Sequence, residues 1–361
     1  MNATMPQCAS TASLASTEAR PNAHVIESPL PEKWNRYLDG CAHGSVLHRA
    51  EWEQVFAVYG LPMLRLAAER DGKIVGILPL VWQKSLVFGN QLVSLPWFDA
   101  VSVLADDADA REQLILSAQA AARARGNAIL QLRQAEPLDP PYPVRNDKVL
   151  MRLALESDPE ILWKRLSAKV RNQVRKGQKS DLESVRGGRE LAGEFFNVYS
   201  ANMRDLGSPS HKRKFFERVL DQFGNLCTIH LARFRGRAVG AGFTIANGRR
   251  LEIPWASSLR EFNGMCVNHV MYWEILADAC RNGFAWFHFG RSSRDSGTYH
   301  FKKQWGAEEV PLFWYYLAET RNAEHLVASP QDSFGWAQRV WRRLPLWLAR
   351  RLGPRIIAKV P

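Results

Sequence analysis

The stretch FAWFHFGRSSRDSGTYHFKKQWG, Phe284 to Gly306, decides how the rest of the chain is read. Its apolar run Ala285 to Phe289 has the length and aromatic content of a buried strand, and it stops at Gly290, where the backbone turns freely. A polar loop over Arg291 to Gly297 follows, and Tyr299 to Trp305 predicts a short basic helix. A strand end that runs through a loop into a helix is where open α/β sheets hold ligands, because backbone N–H groups, the positive helix end and Arg or Lys side chains converge there. Such a unit suits an anionic or carbonyl-bearing ligand. An ordinary βα connection with a solvated loop has the same local pattern.

Working outward, the second half reads as helix His211–Phe223, a hairpin turning at Arg235-Gly236, helix Val267–Arg281, then the quoted strand. The first half has the same grammar: a helical pattern over Ser45 to Gly60, a hairpin turning at Asp71-Gly72, an Ala-rich helix from Ala108 to Arg125, and a strand over Ala128 to Leu132. Gly224, Gly236 and Gly240 each stand 164 residues after Gly60, Gly72 and Gly76, while Gly126 and Gly283 differ by 157. Two copies of one α-β-β-(β)-α-β unit account for this spacing, with a seven-residue deletion between the later landmarks. The fold class is therefore α/β (α+β), with mixed sheets flanked by helices. The expected divisions are a disordered leader over 1–24, a first domain over 25–150, a second over 151–320, and a basic amphipathic tail over 321–361.

The chain has 361 residues, 46% of them hydrophobic, enough for two cores, and no apolar run long enough for a transmembrane helix. The five cysteines have no CxxC spacing, which fits a reducing cytoplasm and implies no zinc site. Net charge is +12 and local: Lys164, Arg165, Lys169, Arg171, Arg175, Lys176 and Lys179 form one run without an acid, and seven more cations follow Asp332. On a single helix the first run faces away from Leu162, Leu166, Val170 and Val174. That cationic face fits a polyanion: a nucleotide-linked sugar, a lipid-linked pyrophosphate or a tRNA backbone. Confinement of the charge argues against DNA binding. The ending, with three Trp among Leu and Arg, suits peripheral contact of 333–361 with the inner membrane, or two helices packed on the protein body.

RARGNA (Arg123 to Ala128) and RAVGAG (Arg237 to Gly242) fit the pattern that cradles a coenzyme A pyrophosphate, but one closes a helix and the other lies in a strand. The duplicated unit, MYWEILADACRNGF, FHFGRSSRDSGTYHFKKQWGAE and RRLPLWLARRLGPRI together resemble the FemAB-like proteins of exosortase (PEP-CTERM) exopolysaccharide systems, over nearly the whole chain beyond the leader. The resemblance implies tandem GNAT-type acyltransferase domains, arranged as in the aminoacyltransferases that move an amino acid from aminoacyl-tRNA onto an envelope precursor. By position it gives Lys302 and Lys303 from the FKKxWG element, and Gly290, Arg291 and Ser292 at the strand end. Two departures stand out: His288 and His300 occupy positions where the family pattern has Asp.

The expected chemistry is acyl transfer to an amine or hydroxyl of a nucleotide- or lipid-linked saccharide precursor. The donor is aminoacyl-tRNA or an acyl-CoA, with no bound cofactor and no metal. Lys302, Lys303 and Arg291 stabilise the oxyanion or a phosphate, and His288 or Tyr299 handles the proton. Tyr272 and Trp273 are candidates for lining the acceptor pocket, Trp305 for binding substrate, and Lys169, Arg171 and Arg175 for holding anionic groups. The alternatives are an acetyl-CoA-dependent enzyme and a non-catalytic docking component of a polysaccharide-synthesis complex.

Overall fold

The computed structural model describes residues 22–85, 88–138, 142–318 and 335–361. The expected leader through residue 21, and residues 321–334 of the expected tail, lie outside them.

The first half opens with β1 (His24–Glu27), α1 (Pro31–Gly40) and α2 (Trp52–Phe56), then the hairpin β2 (Met63–Arg70) and β3 (Lys73–Ser85). It continues through β4 (Gly89–Val93), β5 (Leu104–Ala105), α3 (Ala108–Ala124), β6 (Ile129–Gln134) and β7 (Val144–Arg145). The helical pattern expected over Ser45 to Gly60 is only partly helix. Val46–His48 is a 3-10 turn, where the Ser45 side chain accepts from Leu47 N and the Trp52 indole donates to Val46 O, and Ala57–Tyr59 is a second one, ending on Gly60 in the left-handed region.

The second half comprises β8 (Lys148–Ala154), α4 (Pro159–Arg165), α5 (Ala168–Gln178), β9 (Leu182–Gly187), α6 (Ala192–Leu206), α7 (Arg213–Phe223), β10 (Cys227–Phe234), β11 (Arg237–Asn247) and β12 (Arg250–Ser258). Then come α8 (Val267–Arg281), β13 (Trp286–Ser293), α9 (Gly297–Lys303), β14 (Glu308–Pro311), β15 (Phe313–Leu317), α10 (Gly335–Trp341) and α11 (Leu346–Ile357). The single cationic helix expected over 162–179 is two helices. Leu166 is extended (ψ 144°), and Ser167 starts α5 by accepting from Val170 N. The apolar side, Leu162, Leu166, Val170 and Val174, is buried against α8.

One sheet runs β1-β2-β3-β4-β6-β15-β7, with β5 on β3; the other runs β14-β8-β13-β12-β11-β10-β9. Each is antiparallel except for one pair, β4 with β6 and β12 with β13, and each parallel pair is bridged by a crossover helix, α3 or α8. Two of the glycine pairs adopt matching φ, +73° and +78° at Gly72 and Gly236 and +73° at both Gly126 and Gly283, whereas Gly60 (φ +66°, ψ 26°) and Gly224 (φ +49°, ψ −122°) differ.

The halves also exchange strands. β8, which directly follows β7 of the first sheet, lies between β13 and β14 of the second; β15, which follows β14, lies between β6 and β7 of the first. No single point along the chain divides the sheets. A shared aromatic core joins them, in which Trp52, Phe56 and Phe98 pack with Phe195, Phe215, Phe223 and Trp255. Among the described residues no helix is long and apolar enough to cross a membrane.

Candidate active site

Between the halves lies a cavity of about 650 Å³. Its second-half wall exists because β12 and β13 pair for only three residues, Arg250↔Trp286 to Glu252↔His288, and then part. Two bulges force the parting. On β12 the register slips across Ile253-Pro254, where Pro254 has no N–H for a ladder bond; on β13 it slips across Phe289-Gly290, with Gly290 at φ +75°. The expected polar loop over Arg291 to Gly297 is therefore shorter, since β13 resumes pairing with β8 through Ser293. Glycine at 290 also admits the neighbouring half: a Cβ there would sit 3.4 Å from Asp99 Oδ2.

Asp99 comes from the first-half loop between β4 and β5. Its carboxylate accepts from Arg291 N at 2.8 Å and from the Arg291 guanidinium at 3.2 Å, and its carbonyl accepts from the Trp314 indole at 2.9 Å. The Arg291 and Arg133 guanidinium groups lie 5.0 and 4.2 Å from the Trp314 ring centre. Arg133 is fully buried and donates to Phe98 O at 2.7 Å; burial and the Arg291 charge push its pKa down to about 9. The loop is strained, with Leu95 at φ +49° and Trp97 at +75°. Trp97 is held by indole bonds to Ile357 O and Val360 O at 3.2 and 2.9 Å.

Lys302, near the start of the FKKxWG element, is buried at the cavity wall and donates to Gly290 O and Arg291 O at 2.9 and 2.8 Å. An ammonium has three N–H groups, so one remains for the cavity. Burial pushes its pKa down to about 8, opposed by Asp99 and assisted by Arg291. His288 lines the same wall. Burial first, then the Arg250 and Arg152 charges, take its pKa to about 4, so it is uncharged near neutral pH and a weak proton acceptor. Its cross-strand neighbour Glu252 has a carboxyl raised above the usual range by burial, against the Asn247 amide donating at 3.0 Å and the Arg250 charge. His48, on the first-half wall, donates Nε2–H to Ser102 O at 2.8 Å; burial lowers its pKa to about 4. It ties two first-half loops together as a neutral ring.

Of the residues chosen from sequence, the cavity gathers His288, Gly290, Arg291 and Lys302. Ser292 is adjacent but buried. Lys303 is exposed and outside the lining. The Tyr299 hydroxyl donates to Glu309 at 2.5 Å, likewise outside it. Tyr272, Trp273 and Trp305 belong to the core of the second sheet, where Tyr272 stacks on Phe289 and Trp273 meets Trp163. Lys169, Arg171 and Arg175 sit on α5, away from the cavity lining, and the Arg175 guanidinium lies 5.5 Å from the Trp163 ring centre. Sequence reasoning missed Glu252, Asp99 and Arg133. Only Glu252 left a trace: a lone carboxylate in the otherwise apolar strand Leu251–Trp255, two residues before a proline.

Residues 164–303 match the acetyltransferase (GNAT) domain family. No curated protein matches the chain. Among solved structures, FemX aligns at 14% identity and TM-score 0.61 over 87% of this chain and 100% of its own. L-PGS from Bacillus licheniformis aligns at 14% and 0.55 over 91% and 100%. A tandem GNAT protein from the clavulanic acid biosynthesis pathway aligns at 15% and 0.51 over 81% and 98%. With its repeated strand order and two crossover helices, the chain has the fold of a tandem of GNAT-like domains, and the family match falls in the second of them.

Proposed function

We propose that the protein is an acyltransferase that moves an acyl or aminoacyl group onto an amine or hydroxyl of a cell-envelope or exopolysaccharide precursor. The observation that carries this reading is the parting of β12 from β13 beside Glu252, His288 and Lys302, which leaves an unfilled gap with a proton acceptor and a buried ammonium on one cavity wall. In the proposed step, the acceptor nitrogen or oxygen attacks the donor carbonyl carbon while Glu252 takes its proton. The carbonyl oxygen gains negative charge, which the third N–H of Lys302 stabilises. Collapse breaks the bond to the leaving thiol or ribose oxygen, and the Glu252 carboxyl returns the proton to it.

The donor reading is aminoacyl-tRNA or acyl-CoA, both of which carry phosphates. The cationic side of α5 supports a phosphate-bearing donor. This helix packs where β12 leads into α8, with Gly177 against the Met265 and Cys266 carbonyls, and the Lys169 charge reaches His269. That junction follows a strand and opens a helix, the context that RARGNA and RAVGAG lack. The resemblance to FemAB-like proteins favours aminoacyl-tRNA and a nucleotide- or lipid-linked saccharide acceptor.

Incubation of the protein with acetyl-CoA, aminoacyl-tRNA and candidate nucleotide sugars, with products read by mass spectrometry, tests the reading. A new acyl–acceptor mass that falls about 100-fold or more in Glu252→Gln supports it. Undiminished product from both Glu252→Gln and Lys302→Ala overturns it.

A further inference from the structure

The C-terminal helices present a surface that acyl transfer does not use. Residues 335–361 carry seven Lys and Arg and no acid. One side of α11 is packed on α6: Ala349 and Gly353 are buried, Gly353 meets Ser210, and Arg350 donates to Ser200 Oγ at 2.9 Å. Gln338 on α10 covers Gly207, and Arg342, just after α10, donates to Leu206 O at 3.3 Å. The helices are thus fixed on the protein body, and what they leave outward is determined.

That outward side is apolar and cationic together. Trp336, Val340 and Trp347 are 65%, 53% and 66% exposed, and Leu206, at the adjoining end of α6, is 55% exposed. Helical spacing places Trp347, Arg351 and Arg355 on one side of α11, opposite the buried Ala349, and Trp336 and Val340 one turn apart on α10 with Arg339 beside them. Asp205, next to the patch, is paired with Arg204 at 2.7 Å. Large indoles exposed among arginines are poorly matched to water, whereas at a lipid–water interface the rings enter the headgroup boundary and the guanidinium groups meet phosphates.

We propose that this face of α10 and α11 docks on an anionic membrane surface, with Trp336 and Trp347 inserted at headgroup level and Arg339, Arg351 and Arg355 on lipid phosphates. The contact is peripheral. It stands independently of the acyl-transfer reading.

The test is flotation of the full chain with vesicles of phosphatidylcholine containing about one-third phosphatidylglycerol, against phosphatidylcholine alone, at ~0.1 M salt. Wild type is expected to float with the anionic vesicles only. Arg351→Glu with Arg355→Glu is expected to weaken binding by about five-fold or more per arginine. Trp336→Ser with Trp347→Ser is expected to reduce it by about ten-fold or more. All four side chains lie on the outward side, and unchanged circular dichroism checks that the fold is kept. Lys302→Ala floats like wild type, so failure of the catalytic reading leaves this result unaffected. Absence of wild-type flotation overturns the proposal, as does flotation of the tryptophan variant equal to wild type. Loss of the arginine effect with the tryptophan effect intact also overturns it, since the proposed partner is an anionic surface.

Discussion

The two parallel strand pairs, β4 with β6 and β12 with β13, are built alike and end differently. Each pairs over three residues and then parts. In the first copy the gap is filled by the chain itself: Ser94 N donates to Gln131 O, Arg133 N to Ser94 Oγ, Val101 N to Arg133 O, and the Arg133 guanidinium to Phe98 O, all within 3.0 Å. In the second copy the corresponding gap opens into the cavity. The last paired residues differ as well: Val93 and Gln131 in the first copy stand where the second has Glu252 and His288. Duplication thus yields one sealed copy that lends a wall, through Asp99, and one open copy that bears the titratable pair.

The largest expected effect concerns whether the copies are separable at all. Because β15 completes the first sheet, truncation after Leu312 leaves β6 with an unpaired edge although every first-half residue before it is present. The truncated chain is expected to aggregate, and the full chain to unfold in urea as one transition, with circular dichroism and tryptophan fluorescence coincident. Two well-separated transitions would show independent halves.

Next in size is the chemistry. Glu252→Gln keeps size and the Asn247 contact but removes the proton acceptor, so kcat/KM is expected to fall by about 10²–10⁴. Installing the pair in the first copy, as Val93→Glu with Gln131→His, is expected to restore nothing to that variant, because the gap there is plugged. It should also destabilise the fold, since Val93 is fully buried and a carboxylate there has no partner. Turnover and thermal unfolding of the combined variant check both halves of the statement.

How much of this was legible in sequence follows from which forces act locally. Gly72, Gly126, Gly236 and Gly283 mark backbone positions with positive φ, so the repeat shows in their spacing. Val267–Arg281, a long helix ending at a glycine, has the expected limits. The site is legible only where one element makes it, as with Lys302 reaching back to Gly290 and Arg291 within its own strand-to-helix unit. Asp99 and Arg133 act across 192 and 35 residues, and no local pattern couples them to their partners. The exchange of β8 and β15 is hidden for the same reason: both read as ordinary strands, and only the sheets say which half each completes. The single cationic helix failed at Leu166-Ser167 because periodicity reports a face, while a serine cap reports an end.

The pH profile sharpens the same contrast. Glu252 must be ionised to accept a proton, and burial holds its pKa above the ordinary carboxylate value, so the rate is expected to rise with pH on the acid side. Lys302 loses its proton as pH rises through about 8, and with it the charge that the proposed step sets against the oxyanion, so the rate is expected to fall by up to about ten-fold per pH unit above that. Lys302→Met is expected to have a lower maximum and no alkaline limb from this group. An alkaline limb unchanged in that variant would assign it elsewhere.

Smaller again is the cost of loosening the plug. Arg133→Met retains bulk against Trp314 but releases Phe98 O, and loss of that buried charge-assisted bond is expected to cost about 1.5–3 kcal/mol in urea unfolding. Asp99 then shifts against Arg291, so activity is expected to fall further than in a comparably destabilised core variant. Equal falls in the two would confine Arg133 to stability.

The smallest effect asks why the plug keeps its strained shape. Trp97 holds φ +75° while its ring packs on Phe56, Tyr59, His211 and Phe215, and its indole N–H is shared between Ile357 O, at the end of α11, and Val360 O beyond it. Trp97→Phe keeps an aromatic ring but removes the shared donor and part of the ring area packed on these neighbours, so about 1–2 kcal/mol of stability is expected to go. If the tail serves the plug by holding Trp97, KM should rise by less than about two-fold with kcat unchanged, because Asp99 stays paired to Arg291 while the wall two residues away loosens. If the aromatic packing alone fixes the loop, the variant matches wild type in KM, and the contact between the chain's end and the sealed copy is one of stability only.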